Sequence, residues 1–229
     1  MNKDKPNKRK LVFYPMIMKL LIVAATELEI TPSIPLLLEH QVDYLITGVG
    51  MVATAFALGT QLSKKSYDLL VNVGIAGSFS VAHQIGDLYK IKTDQIFQFG
   101  AENKEEFISI EHLGFGHALF HELLPPQTLP SSFYEMPYSN AITVNTVHGN
   151  TQSIHKILET MDQDLLESME GAAFFYASNT RKIPAIQIRA ISNYVEERNV
   201  SLWNIPMAII NLNNWLQSFV LATQTKANF

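Results

Sequence analysis

Four apolar runs, "KLLIVAA", "VDYLI", "DLLVNV" and "IPAIQIRAI", each give way within two residues to an acid, a glycine or an asparagine. Continuous apolar runs of this length suit strands that are buried on both faces. Segments of helical length lie between them. In "MVATAFALGTQLSKK", Val52, Ala55, Phe56 and Gly59 fall on one side. Strands alternating with helices predict an α/β three-layer sandwich, with a central, mostly parallel or mixed twisted sheet and helices on both faces.

The rest of the chain fits that pattern. "GDLYKIKTDQIFQFG" alternates like a strand, and "NAITVNTVHGN" reads as another. "TQSIHKILETM" reads as a helix, and "LLESMEGAAFFYASN" passes from strand into helix. The closing helix "NIPMAIINLNNWLQSFVLATQ" carries Asn211, Asn213, Asn214 and Gln217, too polar for a membrane span. Residues 101–140 contain Pro125, Pro126, Pro130 and Pro137 and are expected to be loop with short helices. No repeat or linker divides the chain, so residues 18–229 are expected to form one domain.

The start of the chain is basic, then apolar, then small, which mimics a secretory signal. Pro15 and Lys19 interrupt the apolar run, and cleavage after Ala25 would remove the first strand. Residues 1–17 are therefore expected to be a disordered or misannotated leader, with a natural start near Met16 or Met18. The net charge of -4 argues against a nucleic-acid surface. The chain has no cysteine, which excludes disulfides, a cysteine nucleophile and thiolate metal sites, and which fits the cytoplasm. The histidines lack metal spacing, and neither HExxH nor GxSxG occurs, so no metal or serine triad is expected.

In open α/β sheets, ligands bind beyond the carboxyl ends of the strands. That places Glu29, residues 48–50, 74–78, 145–149 and 169–171, and Ser192 onward at the expected site. Glu29 alone would be an ordinary solvated turn carboxylate. Glu170 is more unusual, an acid set between Met169 and the apolar "GAAFFYA". A helix N-terminus favours a carboxylate there, so a cap is the plain alternative. Burial among apolar groups is costly without a partner, and two adjacent hydroxyls of a ligand would supply one. "NVGIAGS" reads as a glycine turn that brings backbone close to a ligand. It lacks the lysine of a phosphate-binding loop.

Taken in order, "LLIVAATELE", "TGVGMVATAFA", "VNVGIAGSFSVAHQIGDLYKI", "ESMEGAAFFYAS" and "IPAIQIRAISN" resemble the purine nucleoside phosphorylase and nucleosidase superfamily, from residue 18 to about 218. The likeness is greatest to its nucleosidase branch. The resemblance implies that Glu29 activates the attacking water, that Glu170 grips the ribose hydroxyls and that Met169 packs on the sugar. It also implies that Ile75, Ala76 and Gly77 lie beside the water and the base. The chemistry agrees, since N-glycosidic cleavage passes through an oxocarbenium-like cation that needs negative charge nearby and a base for water.

Relatives that use phosphate place arginines near the glycine turns. Here "TGVGMVATA" and "VNVGIAGS" have none, and Ile75 is apolar where the nucleosidases usually carry a small hydroxyl residue. Water is the expected nucleophile. Adenine-specific members carry an aspartate where this chain has Asn193. Asparagine cannot deliver a proton, but its amide offers two donors to the O6 and N7 acceptors of a 6-oxopurine. The plain alternative is a strand-end turn.

"GAENKEEF", "VNTVHGN" and "RAISNYVEERN" followed by "WNIPMAI" resemble the futalosine hydrolase family within that branch. The likeness implies release of hypoxanthine from futalosine in the alternative menaquinone pathway. Val147 and His148 are then substrate-binding. Arg198 and Trp203 are candidates for holding the carboxyphenyl ketone beyond C5′. It further implies no cofactor, a nucleoside and water as partners, and a cytoplasmic homodimer in which the loop from Phe107 to Phe115 sits near the neighbour's site. Three alternatives stay open: a methylthioadenosine/S-adenosylhomocysteine nucleosidase, a nucleoside phosphorylase, and a non-catalytic binder. The presence of both Glu29 and Glu170 argues against the last.

Overall fold

The computed structural model describes residues 18–161 and 164–224; the leader expected at residues 1–17 lies outside them. The elements run β1 (Leu20–Ala24), α1 (Glu27–Ile30), α2 (Ile34–Glu39), β2 (Asp43–Ile46), α3 (Met51–Lys64), β3 (Leu69–Ser78) and β4 (Leu88–Ile96). A hairpin of β5 (Gly100–Asn103) and β6 (Glu106–Ser109) follows, then β7 (Leu119–His121), α4 (Ser131–Tyr134) and β8 (Tyr138–Thr143). The chain continues with α5 (Thr151–Thr160), β9 (Leu165–Ser168), α6 (Gly171–Arg181), β10 (Ala185–Tyr194) and α7 (Ile205–Gln224).

The main sheet is mixed, in the order β10-β4-β8-β9-β3-β1-β2, with β7 beside β4. β10 also pairs with β3 in parallel, so β3, β10, β4, β8 and β9 close into a ring, from which β1 and β2 extend. Along one side of β3, β1 pairs only as far as Asn72, and β9 begins at Gly77. The stretch from Val73 to Ala76 faces no strand on that side among the described residues.

Alternation along the strands feeds two apolar layers. Val71, Val73 and Ile188 pack against Trp215, Leu216 and Phe219 of α7. Leu70, Ile91 and Ile191 turn the other way, towards Leu58 of α3 and Phe174 and Phe175 of α6. Helices therefore cover both faces, as the apolar runs predict. The strands also carry buried Asn72, Asp94, Thr143, Gln187 and Arg189, a polar layer that has to be internally satisfied.

Two expectations change. The 101–140 segment holds the β5–β6 hairpin and β7 as well as a short helix. Its charged "ENKEE" turn, with Lys104 at φ 58, hides the strand pattern. The "GIAG" stretch is extended strand, not a turn, and neither Gly74 nor Gly77 has positive φ. Glycine is required there for space: a Cβ on Gly74 would stand 2.8 Å from Glu29 Oε1, and one on Gly77 would stand 2.9 Å from Val195 Cγ2.

Candidate active site

The ends of β1, β3, β9 and β10, with the loops after β2 and β8, surround a cavity of about 310 Å³. Glu29, Ile75, Ala76, Gly77, Val147, His148, Met169, Glu170, Asn193 and Trp203 all line it. Arg198 does not. It borders an adjoining depression that shares Val147 and His148 with the cavity, and its guanidinium lies over the Trp203 ring, 5.1 Å from the centroid.

Glu29 is placed by local sequence. "TELE" has the Thr-x-x-Glu spacing of a capping box, and α1 starts there. Glu29 Oε2 accepts from Thr26 N–H at 2.9 Å and from the Thr26 hydroxyl at 3.1 Å. Oε1 accepts from Ile75 N–H at 3.2 Å, within the stretch of β3 that lacks a strand partner. The carboxylate is buried, and burial pushes its pKa above the usual carboxylate value. The bonds from Thr26 and Ile75 and the charge of Arg189 pull the other way. A raised pKa makes it a stronger base for water.

Glu170 caps α6. Its Oε1 accepts from Gly50 N–H at 2.9 Å and its Oε2 from Met169 N–H at 3.3 Å. Gly50 caps α3 with φ 98, a conformation that favours glycine. The carboxylate therefore sits where two helices begin, and both helix dipoles favour its charge.

A charged layer that no sequence motif marks lies beneath. Arg189 is buried, donating through Nη2 to Asn72 Oδ1 at 2.5 Å and through Nη1 to Ile188 O at 3.3 Å. Burial lowers its pKa, and the charges of Glu170, Asp94 and Glu29 oppose that shift. A Cβ on Gly74 would touch both Glu29 Oε1 and Arg189 Nη1, so glycine lets the cation approach the acid. An arginine inside the apolar run "AIQIRAI" is the signal that could have found it. Asp94 is buried as well, accepting from the Thr143 hydroxyl at 2.7 Å and Gln187 Nε2 at 2.9 Å, and burial raises its pKa to about 6. Thr143 in turn accepts from Ala172 N–H at 2.7 Å at the start of α6.

Asn193 follows a bulge. The register of β10 against β3 shifts between Ile191 and Asn193, leaving Ser192 as the extra residue. Asn193 Nδ2 donates to Tyr194 O at 2.9 Å, and Oδ1 accepts from the Ser192 hydroxyl at 2.8 Å. One amide hydrogen is thus used locally, and one is left for a ligand. Glu167, which the sequence did not single out, pairs with His148 Nδ1 in the same wall. Among the described residues no group of three or more acids and histidines is arranged to hold a metal, and no helix is long and apolar enough to cross a membrane.

A family model for the phosphorylase superfamily matches residues 33–220. The chain belongs to the phosphorylase superfamily. Within it, the chain is 32% identical over 180 residues to a futalosine hydrolase of Streptomyces coelicolor, covering 75% of each chain. Solved structures share the fold at low identity. A methylthioadenosine/S-adenosylhomocysteine nucleosidase from Colwellia psychrerythraea, in complex with adenine, superposes with TM-score 0.72 at 18% identity, over 95% of this chain and 99% of that one. A futalosine hydrolase of Helicobacter pylori gives TM-score 0.66 at 14% identity, over 91% and 97%.

Proposed function

We infer that the protein is an N-ribosyl hydrolase that cleaves a 6-oxopurine nucleoside, futalosine, to hypoxanthine and dehypoxanthine futalosine. The observation that carries this reading is the meeting of Glu29 and Glu170 in one cavity beside the glycine-bearing strand. The likeness to a futalosine hydrolase supports the choice of substrate. Glu29 takes a proton from the attacking water. Glu170 holds the ribose hydroxyls and stabilises positive charge as it develops. The charge of buried Arg189 opposes the rise that burial gives the pKa of Glu29. The free amide hydrogen of Asn193 points the base edge towards a 6-oxopurine. The enzyme then serves menaquinone biosynthesis in the cytoplasm and needs no cofactor.

Water is the nucleophile in this reading. The cavity wall holds four acidic or imidazole groups, Glu29, Glu167, Glu170 and His148, and no lysine or arginine. A phosphate dianion would meet carboxylates without a cation. The active form is a homodimer. Val52 and Phe56 on α3 are 84% and 76% exposed, next to cavity-lining Val49, and such an apolar patch is suited to a second copy. Light scattering at micromolar concentration should give twice the chain mass.

The deciding experiment incubates purified protein with inosine, methylthioadenosine and futalosine, with and without phosphate. Hypoxanthine from futalosine at a phosphate-independent rate is expected. Adenine from methylthioadenosine alone would favour the adenine nucleosidase instead, and phosphate-dependent turnover a phosphorylase.

A further inference from the structure

A purine leaves ribose readily only if the electron pair it carries away is neutralised. The titratable side chains in the cavity wall are Glu29, Glu167, Glu170 and His148. Glu29 and Glu170 serve water and ribose in the reading above. Asn193 has no acidic proton, and its side chain is tied to Tyr194 and Ser192. His148 and Glu167 are unaccounted for.

Their geometry is that of an oriented acid. His148 Nδ1 meets Glu167 Oε2, and Glu167 Oε1 accepts His148 N–H at 2.9 Å. The two side chains are 11% and 3% exposed. Phe97 stands edge-on to the imidazole at 5.3 Å, and Phe79 lies at 6.3 Å. Such packing fixes the ring. With Nδ1 held, Nε2 is the nitrogen left for a ligand, and among the described residues it has no hydrogen bond. Glu167 lies on β9 and Glu29 follows β1; both strands flank the same side of β3, set apart along it by the unpaired stretch from Val73 to Ala76. An acid and a base lining one cavity at separate positions is what hydrolysis requires.

We propose that His148, held by Glu167, is the general acid that protonates the departing purine; this rests on the functional reading above. As the bond from C1′ to N9 breaks, its electron pair passes to the purine. His148 Nε2–H delivers its proton to the O6/N7 edge of the base. The water oxygen bonds to C1′ and gives its proton to Glu29. His148 ends neutral and Glu29 protonated, and exchange with solvent resets both. Glu167 stays ionised and stabilises the imidazolium, the role a buried carboxylate plays behind a catalytic histidine. The other charges around the ring are Arg198 in the adjoining depression and Glu105, Lys156 and Glu159 along an outer groove that His148 also borders.

The test compares wild type, His148→Asn and Glu167→Gln on futalosine and on p-nitrophenyl β-riboside, whose phenolate departs without a proton. His148→Asn should lower kcat on futalosine by about 10²–10⁴ and leave the p-nitrophenyl riboside rate close to wild type. Glu167→Gln keeps the shape and removes the counter-charge, so the alkaline limb of its kcat–pH profile should move to lower pH. An equal loss on both substrates, or an alkaline limb that stays in place in Glu167→Gln, overturns the assignment. If wild type releases adenine from methylthioadenosine and nothing from futalosine, the functional reading fails; the same comparison against methylthioadenosine then decides whether the dyad is an acid.

Discussion

Glu170 Oε1 accepts the backbone N–H of Gly50 at 2.9 Å, so one carboxylate ties the start of α3 to the start of α6. Glu170→Gln keeps an oxygen for Gly50 and loses the negative charge. The melting temperature should change little. Both binding and turnover should weaken, by roughly 10- to 100-fold in kcat/KM, since hydrogen bonds to a charged group contribute about 1.5–3 kcal/mol. Thermal melts beside steady-state kinetics separate the two effects, and an unchanged KM and kcat would remove Glu170 from the ribose.

Glu29→Gln should abolish most turnover, by about 10²–10⁴ in kcat, while substrate still binds. The amide keeps the shape and cannot take a proton. In wild type the base must be ionised, and its pKa lies above 4.5 because of burial. The acidic limb of kcat/KM should therefore sit above the ordinary glutamate range. A Glu29→Gln variant with near-normal turnover would take the base role away.

Asn193→Asp should cost at least about tenfold in kcat/KM on futalosine, or 1.4 kcal/mol. It sets a carboxylate against the base edge and against Tyr194 O, which now receives the amide N–H. Mismatched buried polar contacts cost roughly 1–3 kcal/mol. Relative activity on the 6-amino counterpart should rise. Measuring hypoxanthine and adenine release by both proteins checks this; an unchanged preference would leave Asn193 as a strand end only.

Asp94 predicts a stability effect. Its pKa rises from 3.8 to about 6 on folding. The folded state therefore binds the proton more tightly, and the stability this gives is complete below the unfolded value and lost as pH rises through about 6. At 1.36 kcal/mol per unit the whole window is worth about 3 kcal/mol. Gln187 Oε1 lacks a partner among the described residues, so an amide flip lets it accept from the protonated acid or from asparagine. Between pH 7.5 and 4.5 the denaturant stability of wild type should gain about 2 kcal/mol on Asp94→Asn. A pH-independent difference would refute it.

The apolar runs announce the layers of the fold because strands buried on both faces leave little choice of residue. Glu29, Glu170 and Asn193 stand out because each interrupts such a run at a strand end. The ring closure was invisible, since pairing of β10 with β3 depends on sheet curvature and not on local pattern. Arg189 and Asp94 were passed over because they sit within strands, where alternation directs attention to the apolar neighbours. Glu167 was missed for the same reason, and its value emerges only when β9 brings it beside His148.

The gap along β3 has a consequence for how the site can be altered. The N–H that steadies Glu29 belongs to the main chain at Ile75, where neither β1 nor β9 is present to claim it. Exchanging Ile75 for serine, alanine or valine reshapes the wall of the cavity and leaves that donor in place. Only proline, which has no N–H, or a shift of the whole strand can withdraw it. Position 75 can therefore drift freely in side chain while the grip on the acid is inherited unchanged.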